Sequence, residues 1–388
     1  MAATVYIIRH AEAEGNIYRR CHGLYDSLLT PRAYQQLPCL AKRFENVPLA
    51  AVYASPLFRA RTTAQAVAAP HGLTVELRND LHEIDMGDWE DLPWAELPHG
   101  WPDQYAKWCA RPWEAAPPHG ETVMQAGARM LNEVRRLAQE NDGKAIAVVT
   151  HGSAIRGALT IAHGFPPEKM NEIGWGDNTC VARLDFADDG SIDVVYENDA
   201  SHLPQELSTF ACIGWKNAKG IPVSPQIWFR RADPNNPQDV DKIVEFMREL
   251  HRNAYGTDEG LDPAALLRDV ERAQQVSPRS CTFGLLEDGT PAALVFYLKT
   301  WYDEEPDVGL LGGFCISSEY RGCGLSAQIL GQAISVYRSL GKTWLCAHVA
   351  EKNLRAQGFY RKFAFEQRGE HRDANGLHYR MFKRLTAE

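Results

Sequence analysis

The sequence predicts an α/β chain of two unlike domains, on three observations. At 388 residues it exceeds what one hydrophobic core usually supports. Over about the first 200 residues, short strand-like runs alternate with helical ones, the pattern of a parallel sheet covered by helices. An aperiodic stretch holding Pro204, Gly214, Gly220, Pro222 and Pro225 then precedes a second pattern that opens at Ile227. The domains are expected at 1–205 and 226–388, with 206–225 as the linker. No internal repeat is present, so the two folds should differ.

Three apolar β-runs stand out in the first domain: Val5 to Ile8, Ala51 to Ala54 and Ile146 to Val149. Thr122 with Gln125 reads as a capping box, and Val123, Met130, Leu131, Val134 and Leu137 form the apolar face of the helix it opens. Between Gly100 and Gly120 lies a stretch rich in Trp, Pro and His that reads as a surface excursion, with Trp101, Trp108 and Trp113 as local packing. The second domain reads as a strand to Arg231, a helix over 238–253 and a hairpin turning at Asp288-Gly289. There follow a strand over 308–316, a helix after Gly324, a strand over 343–349, a helix over 353–363 and a hairpin at Asn375-Gly376.

Composition excludes several classes. A formal charge of −9 argues against a general nucleic-acid or anionic-membrane binder. Nine cysteines without a Cys-x-x-Cys pair give neither a disulfide framework nor a zinc site, and no metal is expected. No run approaches the ~20 apolar residues of a membrane span, and no secretory leader is visible, so a cytoplasmic protein is expected.

The chemistry gathers where the three β-runs stop. The first delivers Arg9-His10, the second Ser55-Pro56-Leu57 and Arg59, the third Thr150-His151-Gly152. In an open α/β sheet the carboxyl ends of the strands form the ligand crevice. A phosphate monoester there needs a nucleophile, positive charge around the transferring oxygens and an acid for the leaving alkoxide. A neutral His10 can attack phosphorus, and Arg9 and Arg59 can donate bidentate hydrogen bonds to phosphoryl oxygens. His151 as imidazolium would add charge, and Asn16 a neutral hydrogen bond. His22, His82 and His119 read as rim or solvent residues.

Arg9-His10-Ala11-Glu12 with Asn16 resembles the signature of the histidine phosphatase superfamily, the phosphoglycerate-mutase-like enzymes. The resemblance runs in order through Leu29-Thr30, Ser55-Pro56-Leu57, Leu81-His82-Glu83, Gly87, Trp89, Gly120-Glu121, Thr150-His151-Gly152, Asn198 and His202-Leu203. It implies a phosphoglycerate mutase-like fold, with Glu83 protonating the departing oxygen. The residue before Asn16 is Gly15, where many mutases carry Trp, which favours phosphatase over mutase.

In the second domain Arg321-Gly322-Cys323-Gly324-Leu325-Ser326 follows an apolar strand and opens a helix. A Gly-rich turn at a helix amino terminus binds pyrophosphate through backbone N–H groups. The segment resembles the cofactor loop of GNAT-type acetyltransferases, and Asn353, Ala356 and Phe359-Tyr360-x-x-Phe363 resemble that family's second cofactor motif. The resemblance implies an α+β GNAT fold and acetyl-CoA as co-substrate, held by Ile316, the loop 321–326, Asn353 and Tyr360, with Tyr360 protonating the leaving thiolate. Gly312-Gly313 marks a candidate bulge. No base for the amine is assigned, and the acidic run Asp303, Glu304, Glu305, Asp307 reads first as a solvated turn.

The expectation is a bifunctional enzyme acting on a small-molecule phosphate ester and an amine. A phosphoglycerate-type mutase with an attached transferase is one alternative, and a phosphatase regulated by a non-catalytic acyl-CoA-binding sensor domain is the other. The substrates and the oligomeric state are not readable from the chain.

Overall fold

In the computed structural model the described residues are 3–387 apart from 214, 217–221, 224, 300–304 and 374. The chain divides into two compact units, one holding Met1–Leu92 and Leu97–Gly214, the other Pro93–Glu96 and Trp215–Glu388.

The first unit carries β1 (Ala3–Arg9), β2 (Leu49–Ala54), β3 (Val75–Leu77), β4 (Ala145–Thr150), β5 (Val181–Phe186) and β6 (Ile192–Asp199) in the order β3-β2-β4-β1-β5-β6. Its helices are α1 (Glu14–Tyr18), α2 (Ala33–Phe44), α3 (Phe58–Ala68), α4 (Leu97–Gly100), α5 (Pro102–Ala110), α6 (Val123–Glu140), α7 (Gly152–Ala162) and α8 (Thr209–Ile213). The expected parallel core is β3-β2-β4-β1, and it continues into an antiparallel pair, because β5 runs against β1 and β6 against β5. Gly190, at φ 84° between β5 and β6, supplies the positive φ that their hairpin needs.

The core strands are buried on both faces, as a parallel sheet requires. Ile8, Val52, Ala54 and Val149 meet Leu40 and Phe44 of α2 and Ala60, Ala64 and Val67 of α3. Val5 and Ile7, which point the other way, are buried where α6 and α7 pack on β1. The capping box is present: Thr122 Oγ1 accepts the Gln125 N–H at 3.1 Å, and Gln125 Oε1 accepts the Thr122 N–H at 2.8 Å. All five predicted apolar positions of α6 are buried. α6 and α7 touch backbone to backbone, since a Cβ on Gly127 would fall 2.2 Å from the carbonyl carbon of Gly157. In the excursion, α5 brings Trp108 against the buried Trp89 at 5.7 Å, and Trp101 joins at 6.4 Å.

In the segment expected as linker, Gly214 and Gly220 lie outside the described residues. α8 falls in it, as do two short antiparallel strands, β7 (Trp215–Lys216) and β8 (Pro222–Val223).

The second unit holds β9 (Trp228–Arg231), α9 (Pro237–Tyr255), α10 (Pro263–Val276), β10 (Thr282–Leu285), β11 (Pro291–Lys299), β12 (Val308–Ile316), α11 (Leu325–Ser339), β13 (Trp344–Ala350), α12 (Leu354–Lys362), β14 (Glu366–Asp373) and β15 (Gly376–Arg384). The sheet order is β14-β15-β13-β12-β11-β10-β9. α10 is an element the sequence reading passed over, although Asp262 caps it by accepting the N–H groups of Ala264 and Ala265 and Pro263 opens it. Within β12 the ladder to β11 shifts register around Gly312 and Gly313, where the bulge is expected.

Only one pair among the described strands of this sheet is parallel, β12 with β13, and its pairing covers Val308–Leu311 against Trp344–Ala347. Both strands run on beyond that point without pairing to each other. A fork therefore opens between Gly312–Ile316 and His348–Ala350.

Candidate active sites

β2, β4 and β1 are neighbours, so their carboxyl ends bring three side chains together. The ladder continues one step past the strands, with the His10 N–H on Thr150 O at 2.9 Å and the Ser55 N–H on Val149 O at 3.0 Å. His10, Ser55, Arg59 and His151 are all buried, and the rings of His10 and His151 lie 5.2 Å apart.

Tautomers follow from the partners. His10 Nδ1 lies 2.7 Å from Ala11 O, which only accepts, so Nδ1 carries the proton and Nε2 keeps its lone pair. Ser55 Oγ accepts the Leu57 N–H and lies 2.8 Å from His151 Nε2; the serine hydroxyl then donates to Nε2, and the proton of His151 sits on Nδ1. Burial, then Arg59 and Arg9, push the pKa of His10 well below 6.5. Burial, then Arg59, His10 and His22, do the same for His151. These surroundings disfavour the imidazolium expected at His151.

Three buried N–H groups in this site have no protein partner: Arg9 Nε, Arg59 Nε and His151 Nδ1. The guanidinium of Arg59 is fixed from behind by the carbonyls of Tyr25, His22 and Gly23. Glu90 grips the same loop, accepting the N–H groups of Gly23, Leu24 and Tyr25. Arg9 donates to Gly176 O and stands over the ring of Phe210 at 5.9 Å. Unpaired cationic donors beside an imidazole with a free lone pair suit an oxyanion such as a phosphoryl group.

Glu83 sits at the amino terminus of α7. Oε1 accepts the N–H groups of Ile84 and Ala154, and Oε2 that of Ser153, so two N–H groups at the start of that helix orient the carboxyl group. Arg129 braces the loop behind it through the carbonyls of Asp80, His82 and Glu83 and is itself paired with Glu121 at 2.9 Å. Asn16 Oδ1 accepts the Ala13 N–H, and Asn16 Nδ2 lies 3.3 Å from His22 Nε2.

Two residues escaped the sequence reading. His22 is not a rim residue: its ring stands edge-on to His10 at 5.8 Å, and burial with Arg59 and Arg9 holds its pKa well below 6.5. Asn178 is fully buried and donates to His10 O at 2.9 Å, while Thr179, at φ 63°, donates its N–H to Arg9 O. His202, from the recognised His202-Leu203 pair, supports this clamp through Thr179 Oγ1.

The second unit presents a different site. Gly322 and Gly324 both take φ 80°, and α11 starts with no side-chain cap, so its first N–H groups face the loop 321–326. The Arg321 side chain is committed to Ile316 O and Glu249, which anchors the loop to β12 and α9. Leu325 is buried, Cys323 Sγ turns to Arg321 O, and Ser326 follows in the first turn. Asn353 caps α12 by accepting the Ala356 N–H at 3.0 Å. Tyr360 is buried beside Phe314 of β12, and burial, then Cys346 of β13, raise its pKa; it therefore stands at the fork with its hydroxyl protonated. Asp303 and Glu304 lie outside the described residues, and Glu305 is paired with Arg380 at 2.7 Å.

The fold and the first site define an α/β enzyme class built around a strand-end histidine. Residues 5–199 match the model of the histidine phosphatase superfamily (branch 1), and 244–365 that of the acetyltransferase (GNAT) family. The chain belongs to the histidine phosphatase superfamily and carries a GNAT acetyltransferase domain in addition; both are enzyme families, and GNAT domains use acetyl-CoA. Phosphoserine phosphatase 1 of Hydrogenobacter thermophilus is 28% identical over 168 residues, covering 43% of this chain and 80% of that protein. Phosphoglycerate mutase-like protein 4 of Arabidopsis thaliana is 31% identical over 206 residues, covering 52% and 88%. The solved structure of Bacillus stearothermophilus YhfR is 30% identical, with a TM-score of 0.50 over 52% of this chain and 98% of that one. Among the described residues no helix is long and apolar enough to cross a membrane.

Proposed function

We propose that the chain is bifunctional, hydrolysing a phosphate monoester through phospho-His10 and transferring acetyl from acetyl-CoA to an amine. One observation carries the first half: His10 Nε2 has its lone pair free while Arg9 Nε, Arg59 Nε and His151 Nδ1 are buried donors without a protein partner. Nε2 attacks phosphorus, and the bond to the ester oxygen breaks as Glu83 hands that oxygen a proton. Glu83 Oε2, with one backbone donor against two on Oε1, is the oxygen that carries it. Water then attacks the phosphoimidazole, Glu83 takes the proton of that water, and phosphate leaves. Arg9, Arg59, His151 and Asn16 hold the phosphoryl oxygens.

For the second half, the uncapped start of α11 accepts the pyrophosphate through the backbone of 322–326. The fork beside Ile316 receives the pantetheine arm, and Tyr360 protonates the departing thiolate. The amine and the phosphate ester belong to one metabolite in this reading; phosphoserine, named in one relative, is a compound of that class.

His10→Ala should abolish phosphate release and leave acetyl transfer intact, and the wild-type protein should trap an acid-labile phosphate on His10. Acid-stable labelling, or phosphate release by the variant, contradicts the route. Product analysis separates phosphatase from mutase, since a mutase returns an isomeric ester without inorganic phosphate. In the second unit, calorimetry with Gly324→Val should show acetyl-CoA binding lost, because a side chain is strained at φ 80° and crowds the pyrophosphate.

A further inference from the structure

Acetyl transfer needs a group that removes a proton from the attacking amine, and Glu305 of the acidic run is a poor one, since it is tied to Arg380. Another cluster lies beside the fork. Register places His378 of β15 opposite Ala350 and Arg380 opposite His348, while His371 of β14 lies opposite His378. Opposed residues of an antiparallel pair share a face, so histidines from three strands line one face next to the open ends of β12 and β13. His348 and His371 stack at 4.6 Å, and His371 and His378 are 6.3 Å apart.

The end of α9 reaches this face. The helix packs on β12 with Leu250 against Gly313, and its last residue, Tyr255, brings its hydroxyl 3.0 Å from His378 Nε2. Sheet order is β15-β13-β12, so a bond from a helix on β12 to a residue of β15 spans the fork. His378 is 2% exposed, and Asp373 Oδ1 lies 3.6 Å from its Nδ1. The two are not hydrogen-bonded, but a carboxylate on that side favours the Nδ1–H tautomer, which leaves Nε2 to accept from the tyrosyl hydroxyl. Hydroxyl, imidazole and carboxylate stand in the order that makes a hydroxyl a proton conduit.

We infer that Tyr255, His378 and Asp373 form a proton relay that deprotonates the acceptor amine at the fork. The inference rests on the acetyltransferase reading above. The amine lone pair attacks the thioester carbonyl, the C–N bond forms and the C–S bond breaks. The proton of the amine passes to the Tyr255 oxygen as the tyrosyl proton passes to His378 Nε2. The coenzyme A thiolate takes the Tyr360 proton; His378 then returns its proton to water, and Tyr360 regains one. Burial, with Asp373 beside it, raises the pKa of Tyr255, so the phenol stays protonated and transmits a proton without storing charge. The titratable and charged neighbours are His251 from α9, His348 from β13, His371 from β14 and Arg380 from β15.

The test uses the full chain, acetyl-CoA and a panel of ethanolamine, O-phosphoserine, glucosamine and spermidine, with thiol release as the readout. Tyr255→Phe and His378→Gln should each lower kcat on the best amine by ~10²–10⁴, the usual worth of a general base. Acetyl-CoA affinity by calorimetry should stay within about twofold, and the double variant should be no slower than the worse single one. Tyr255→Phe removes one oxygen and carries the test if His378→Gln does not fold. Full turnover by Tyr255→Phe overturns the relay and leaves the transferase intact; acetyl-CoA binding with no amine acetylated by the wild type overturns both.

Discussion

Each histidine of the first site is defined by what its second nitrogen touches. Ala11 O fixes His10 as the Nδ1–H tautomer and Ser55 fixes His151 likewise, so one ring presents a lone pair and the other a donor. Position at a strand end was legible in the sequence; the tautomer of His151 and the charge of both rings were not, because they depend on Ser55 and Arg59, which only the fold brings to them. His22 was missed for the same reason. Nothing local distinguishes it from a surface histidine, and only the folding of its loop around Arg59 carries it to His10.

Glu83 as the proposed acid predicts a dependence on leaving group. Glu83→Gln keeps an oxygen for the Ile84 and Ala154 N–H groups, gives up the contact from Ser153, and has no acidic proton to give. Hydrolysis of an alkyl phosphate should fall by ~10²–10⁴, whereas p-nitrophenyl phosphate, whose leaving group needs little protonation, should lose far less. Equal losses on both esters would assign Glu83 to positioning alone.

The depressed imidazoles predict a pH effect with a defined sign. His10, His22 and His151 are held below 6.5 in the folded chain, so just below that value the unfolded chain binds protons that the folded chain refuses. Stability therefore falls as pH drops through that window. A bound dianion offsets Arg9 and Arg59 and raises the same pKa values, so anion binding takes up protons. Sulfate, which does not titrate there, should raise Tm more at pH 5.5 than at pH 8, and His151→Asn should shrink that difference. A sulfate effect independent of pH would contradict it.

Among elements, the segments with strong local signals were found: α6 through its capping box, β12 and α11 through an apolar run followed by glycines. α10 was passed over although Asp262-Pro263 announces it, and the antiparallel β5–β6 pair was absorbed into a parallel sheet although Gly190 marks a hairpin. The meeting of α6 and α7 was not legible at all. Gly127 and Gly157 are unremarkable in a helical pattern, where Ala would be favoured by ~1 kcal/mol, and only the packed structure shows that a Cβ has no room. Gly127→Ala should therefore destabilise, by ~1–3 kcal/mol in urea unfolding, the range for overpacking. Because α7 begins at Glu83 and His151, phosphatase kcat should fall with it. A stabilised variant of full activity would show that the helices part without cost.

At the scale of the whole molecule, the change of pattern along the chain announced two unlike domains, and residues 5–199 and 244–365 match the models of two different families. What sequence order does not reveal is whether the two chemistries serve one metabolite. If they do, tethering raises the concentration of the intermediate seen by the second site, and the gain belongs to the intact chain. The comparison needs no separated domain. His10→Ala chains, lacking phosphatase, mixed with equal Gly324→Val chains, lacking transferase, hold the same number of each active site as half as much wild type. With a phosphorylated amine and acetyl-CoA, the wild type should form the dephosphorylated, acetylated product without a lag, whereas the mixture should show a lag that shortens as total protein rises. Equal time courses would mean that the intermediate equilibrates with solvent, and a failure to dephosphorylate and acetylate any one compound would assign the two sites to separate substrates.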